Sequence, residues 1–242
     1  MSSALPKLDQ RLARGEATRE QILDAASQVL REEGGAGATT RAVADRAGVR
    51  LSLVHYHFGS KGGLLAELLE RENAHLLERQ ESLYAGPEPL AEKWRTACAY
   101  LREDLRSGYV RILWELWAAS LADEELAQRW REAMAGWRGL LEAVAERWAA
   151  DRGLHLPLPA RSLATLVANA FQGAEVEILA GVSEQQAPHI EALEACAALI
   201  EWFEHIHGDA AHPASTYAPP SPGRRPRSIG PADPGCRRSS RR

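Results

Sequence analysis

Residues 50–61 read RLSLVHYHFGSK, a run rich in chemistry-bearing side chains. Two histidines, a tyrosine, two serines and a lysine invite a metal, catalytic or contact reading. A shared ion needs ligands three or four apart on a helix, as in HExxH. His55 and His57 are two apart, about 200° around a helix, so they point away from each other. A catalytic reading needs a nucleophile and an orienting acid, and no such pair stands nearby. A single histidine on a short helix is more commonly solvated or bonded locally. At about 100° per residue, however, Val54 and Phe58 fall on one face and turn inward. Ser52 and Tyr56 fall opposite them, with Leu51 and His55 on one flank and Leu53 and His57 on the other. Several polar groups opposite a two-residue core face describe a contact surface.

The elements before it fit that surface. In TTRAVADRAGV, Thr39 or Thr40 can cap a helix by accepting from unpaired backbone N–H groups. Val43, Ala44 and Ala47 give that helix an apolar edge, and Gly48 supplies a tight turn. Two short helices joined by a Gly-containing turn form a helix-turn-helix. Ahead of them, Ile22, Ala25, Ala26, Val29 and Leu30 make a helical stripe, and GGAG at 34–37 ends it.

The pattern predicts an all-α chain of about nine helices near 16–33, 40–47, 51–57, 60–84, 88–106, 108–121, 123–150, 158–180 and 186–207. Short helices with tight turns suit a compact unit at 16–60; long amphipathic ones suit a bundle at 61–207. Residues 1–15 read as a flexible arm. Residues 208–242 hold seven of the thirteen prolines and a net charge of +5, and read as a disordered basic tail. Residues 1–80 are neutral overall and residues 81–207 carry −9. The acidic middle is a poor polyanion binder, whereas the front can bind one if its bases cluster. Cys98, Cys196 and Cys236 show no CxxC spacing, so no metal is expected, and Cys98 and Cys196 read as small core residues. No apolar run approaches a bilayer span, and MSSALPKLDQRLARGE lacks the apolar core of a secretory signal. A cytoplasmic chain without a membrane partner is the expectation.

Residues 18–69, TREQILDAASQVLREEGGAGATTRAVADRAGVRLSLVHYHFGSKGGLLAELL, resemble the DNA-binding domain of the tetracycline-repressor (TetR) family of bacterial transcription regulators. TREQILDAA, TTRAVADRAGV and HYHFGSK appear in order and at the family spacing. The rear of the chain is similar to the family only in helix number and layout. The resemblance implies a recognition helix from Leu51 to His57 lying in the major groove of an operator. Ser52 and Tyr56 match positions that meet base edges or backbone, and Arg41 one that reaches a base edge, where its fork suits guanine. Thr40, His55, His57 and Lys61 match phosphate-contacting positions, Lys61 standing at a helix start. Lys7, Arg11 and Arg14 in the arm could add nonspecific contacts. The chain departs from the family at Arg50, Leu51 and His55, where a small polar residue, a lysine and a tyrosine are common. Leu51 can still touch a thymine methyl.

Six of the seven tryptophans fall between 94 and 148. Aromatics at helical spacing more commonly build core, but family members bind an effector between these helices. Trp114 and Trp117 are the leading candidates, with Trp94, Tyr109 and Phe171 behind them. Glu115 reads either as a surface charge or as a buried acid beside tryptophans, which would favour a cationic apolar ligand. Gly62 and Gly63 weaken the first turn of the fourth helix and suggest a soft joint there. Apolar stripes on the last two long helices suggest a four-helix interface across a two-fold axis. The expectation is a homodimeric, ligand-responsive DNA-binding regulator, most naturally a repressor. It is not expected to be an enzyme, since no spacing argues for a catalytic dyad, and no cofactor is expected. The rivals are an all-α enzyme with the same pocket and a helical protein-interaction module whose front unit has lost DNA binding.

Overall fold

The computed structural model describes residues 5–208, with side chains from residue 12 onward. The tail expected from residue 208 therefore lies outside the described residues except for Gly208, as do the side chains of Lys7 and Arg11. Nine α-helices and no strand occur among the described residues. They are α1 (Leu5–Gly37), α2 (Thr40–Ala47), α3 (Leu51–Phe58), α4 (Lys61–Ala85), α5 (Leu90–Ser107), α6 (Tyr109–Ser120), α7 (Glu124–Arg152), α8 (Ala160–Leu179) and α9 (His189–Gly208). None is long and apolar enough to cross a membrane.

The first helix is longer than expected. It reaches back to Leu5, through the stretch read as an arm, and forward to Gly37. The GGAG break is nonetheless present, because Gly34 leaves helical geometry at φ 71°, ψ −177°. A positive φ of this kind favours glycine, which has no Cβ to clash.

Local chemistry explains the short front helices. Of the two threonines, Thr39 is the cap of α2: its hydroxyl accepts from Ala42 N–H at 3.1 Å. Gly48 closes α2 in the left-handed region at φ 65°. Ser60 caps α4 by accepting from Gly63 N–H at 3.0 Å. The stripe Ile22, Ala25, Ala26, Val29 and Leu30 is buried, together with Val43, Ala44, Ala47, Val54, Phe58, Leu64, Leu65, Leu68 and Leu69. Ile112, Leu116 and Leu126 of α6 and α7 complete the same cluster, so the front unit packs onto the rear through shared core. A second cluster joins α5, α6, α8 and α9 around Trp94, Cys98, Phe171 and Ala197. Cys98 lies inside it, and burial pushes its thiol up to about 11.

The soft joint expected at Gly62–Gly63 is corrected by the packing. A Cβ on Gly63 would stand 2.2 Å from the backbone oxygen of Phe58, and one on Gly62 2.4 Å from a carboxylate oxygen of Asp123. These glycines let α4 start hard against the end of α3 and the cap of α7. Helix propensity weighs one residue at a time and registers only their cost within the helix.

Candidate functional site

The α3 surface is built as its periodicity requires. Val54 and Phe58 are 1% and 6% exposed and anchor the helix to α1, α2 and α4. Tyr56 on the opposite face is 80% exposed, and Ser52 beside it is exposed too. Leu51 and Leu53 are each 37% exposed, so α3 presents apolar as well as polar atoms. The Tyr56 and His57 rings meet edge to face, their centroids 5.1 Å apart.

Charge is sorted around this face. Arg46 is engaged by Glu32 and Glu33. Arg19 pairs with Glu67, and Arg71 with Glu20, Asp24 and Glu72. Arg41 at the start of α2 and Arg50 at the start of α3 are exposed and make no ion pair among the described residues. Arg14 and Arg31 of α1 are likewise without an ion pair, so four guanidinium groups among the described residues of the front unit are uncompensated, two of them on the helix-turn-helix. An N-terminal helix end adds its own partial positive charge there.

Two of the expected phosphate-contacting side chains already make local bonds. The Lys61 ammonium donates to the Gly35 carbonyl at 3.1 Å, which leaves two of its N–H donors. His55 Nδ1 lies 3.2 Å from the Gly59 carbonyl. A carbonyl only accepts, so Nδ1 carries the proton and Nε2 remains for an outside partner. A neutral ring would then present a lone pair, and only the imidazolium can donate from Nε2 to a phosphate oxygen. Thr40 is half-buried beside the α2 start and His57 half-buried on the flank of α3. Arg14 is exposed on α1.

Glu115 does not stand among the tryptophans. Its carboxylate crosses to the end of α1 and accepts from Gly35 N–H at 2.9 Å. With Lys61 on the Gly35 carbonyl, one peptide segment is gripped by α6 on its N–H side and by α4 on its carbonyl side. Trp114 and Glu115 are adjacent on a helix, so they diverge by about 100°.

The five aromatic candidates do not converge on one cavity. Trp94 and Phe171 share a core cluster, with rings 5.5 Å apart, and Trp94 Nε1 donates to the Leu193 carbonyl at 2.6 Å. Trp114 and Trp117 pack edge to face at 5.3 Å beside Trp130, and Trp117 is 37% exposed. Tyr109 is bonded elsewhere, its hydroxyl donating to the Glu72 carbonyl at 2.8 Å. Burial raises the pKa of that hydroxyl, and Glu72 and Asp104 add to the rise. The acid bonded to a tryptophan is the half-buried Glu175, which accepts from Trp114 Nε1 at 3.0 Å. Burial pushes its carboxyl up to about 7; the Trp114 bond pulls the other way and Asp104 adds a small rise. Asp104 is itself held by the Arg79 guanidinium.

One cavity of the rear unit lies between α5, α7, α8 and α9. It measures about 330 Å³, and its walls include Trp94, Leu141, Trp148, Leu163, Ile200 and Phe203. Sequence reasoning missed Trp148, Leu163 and Phe203. Their only sequence signal was their place in apolar stripes that equally describe core.

A three-helix unit with a capped helix-turn-helix, an exposed polar second helix and unpaired arginines beside it belongs to the class of helix-turn-helix DNA-binding folds. Residues 22–68 match the sequence model of the bacterial regulatory proteins, tetR family. The front unit is thus of the tetR type. It is 33% identical over 141 residues to an HTH-type transcriptional regulator in the dhlA 5′ region of Xanthobacter autotrophicus, a match covering 55% of this chain and 66% of that one. It is 31% identical over 114 residues to the HTH-type transcriptional regulator BetI of Stenotrophomonas maltophilia, covering 46% and 58%. The chain thus spans just under two thirds and somewhat over half of these relatives' lengths. Its fold is similar to that of the transcriptional regulator FadR from Bacillus subtilis, solved in complex with stearoyl-CoA. That likeness has a TM-score of 0.62 at 18% identity over 75% of this chain and 96% of that one. A transcriptional regulator from a Rhodococcus species gives a TM-score of 0.65 at 23% identity, covering 79% and 98%.

Proposed function

We propose that the chain is a DNA-binding transcriptional regulator that acts as a homodimer and loses its operator when a small molecule binds the rear unit. The observation that carries this reading is the face of α3: Tyr56 and Ser52 outward, Val54 and Phe58 inward, and unpaired Arg41 and Arg50 alongside. In this reading Ser52, Tyr56 and Arg41 read base edges, and Leu51 packs on a thymine methyl. Thr40, His55, His57 and Lys61 hold phosphates and set the register.

Dimerisation is supported by the apolar groups left uncovered on the last two helices. Leu166, Val176 and Leu179 of α8 and Leu199, Trp202 and Ile206 of α9 are 42–63% exposed. So many large apolar side chains on adjacent helices mark an interaction surface. A two-fold axis through them presents two recognition helices to two half-sites. The effector acts through its difference in affinity between the DNA-spaced dimer and the other arrangement. Repression is the sign this family reading favours.

The test is binding of the purified chain to duplexes selected from a random pool, measured against salt. A Lys61→Gln dimer should lower the log–log salt slope by about 2, one phosphate contact per protomer. An unchanged slope would remove Lys61 from the interface. Failure to enrich any sequence would overturn the reading itself.

A further inference from the structure

The apolar cavity of the rear unit has a neighbour at its α4–α5 end. Tyr84, Leu90, Val144 and Trp148 also wall a second hollow of about 330 Å³. The two spaces are therefore neighbours across a four-residue wall, and their chemistry is opposite. The first is lined almost wholly by carbon. The second is lined by Lys93, Arg147 and Arg152, together with Glu88 and Asp151.

The charges of the second hollow are not equivalent. Arg152 is engaged by Glu204 at 2.6 Å. Glu88 and Asp151 are as exposed as Arg147 and make no ion pair among the described residues, although the Glu88 carboxylate lies against Gly86. Lys93 is half-buried, and its ammonium donates to the Tyr84 and Gly86 carbonyls at 3.1 and 2.6 Å. Neither partner carries a compensating charge, and a third N–H remains. Arg147 lies exposed on α7, one residue before Trp148, and makes no ion pair among the described residues. The hollow thus holds one half-buried cation and one exposed guanidinium that make no ion pair among the described residues, directly beside an apolar cavity.

We propose that this pair of spaces takes an amphipathic anion, with its apolar chain in the α5–α7–α8–α9 cavity and its anionic head on Lys93 and Arg147. The proposal rests on the effector reading above and names the chemistry of the effector. A neutral apolar molecule would leave the Lys93 charge uncompensated at its side. A cationic head would meet two like charges there. A volume of about 330 Å³ is at the small end of ligand cavities, which suits a medium-length chain rather than a bulky ring system. The head chemistry is shared by carboxylates and phosphate monoesters, and the arginine fork serves either.

The experiment measures direct binding to the full chain by calorimetry and by tryptophan fluorescence, since Trp94 and Trp148 line the cavity. The probes are decanoate, decyl phosphate, decanol and decyltrimethylammonium. One or both anions should bind at least tenfold tighter than decanol, and the cation weakest. The tighter anion identifies the head. Shortening the chain from decanoate to octanoate should weaken binding about fourfold per methylene removed. Arg147→Gln and Lys93→Gln should each reduce anion affinity about tenfold and leave decanol unchanged. Arg147 is exposed, so its variant tests the head site even if Lys93→Gln disturbs the α4 end. Ala145→Trp, which fills the cavity, should remove all binding. Equal affinity for anion and alcohol, or preference for the cation, would overturn the proposal. So would ligand affinity that rises as the chain is diluted to monomers, which would give the cavity to a second copy. Binding without DNA release would instead refute the effector reading and leave the site in place. DNA release by a compound that does not compete with decanoate would refute the site alone.

Discussion

Replacing Glu175 with glutamine should convert a buried, pH-dependent cost into a constant one. Burial lifts the Glu175 carboxyl from an ordinary 4.5 to about 7. Below 4.5 the folded and unfolded chains both hold the proton. Between 4.5 and about 7 the folded chain keeps a proton that the unfolded chain has released, so stability falls as pH rises. The slope is about 1.4 kcal/mol per pH unit. Above about 7 both states are ionised and the loss is complete, at about 3 kcal/mol. Glutamine has no proton to lose, and its carbonyl can still accept from Trp114 Nε1. Glu175→Gln should therefore match the parent near pH 4.5 and exceed it by about 3 kcal/mol at pH 8. Urea denaturation at fixed protein concentration and several pH values, followed by circular dichroism, reads this directly. Parallel stability curves for the two chains would refute the reasoning, because they would mean Glu175 titrates alike in both states.

Other perturbations follow from the packing. Gly63→Ala places a methyl group against the Phe58 carbonyl and should cost about 1–3 kcal/mol in thermal or urea unfolding, where a soft joint would instead be stabilised. Thr39→Ala removes the α2 cap and should cost about 1 kcal/mol, with the same assay as the check. Leu199→Asp combined with Trp202→Asp should give a monomer in sedimentation at micromolar concentration, and a dimer there would move the interface elsewhere.

The front unit was legible because its signals are local. A threonine cap, a Gly48 turn and the 100° step from Val54 to Phe58 each act within a few residues, and the sequence displays them directly. Long-range pairings were not legible. Glu115 and Glu175 are both acids on helices of the rear unit, and only packing decides that one reaches the Gly35 amide and the other the Trp114 indole. Trp114 and Glu175 are 61 residues apart, so no spacing rule could join them. The same limit separated Trp94 from Trp114: both lie at helical spacing, yet one bonds to α9 and the other to α8. Gly62 and Gly63 misled because propensity describes an isolated helix, whereas their neighbours are the Phe58 backbone and the Asp123 carboxylate.

The central claim is that the outward face of α3 reads DNA sequence. Tyr56 is 80% exposed, so Tyr56→Ala leaves the core of the front unit untouched. Fluorescence anisotropy can compare parent and Tyr56→Ala chains on the best duplex selected from a random pool and on an unselected duplex, at one salt concentration. The account predicts that the variant loses about tenfold or more in affinity for the selected duplex and almost nothing for the other, because a base contact carries about 1–3 kcal/mol of discrimination. Equal affinities of both chains for the selected duplex would contradict it.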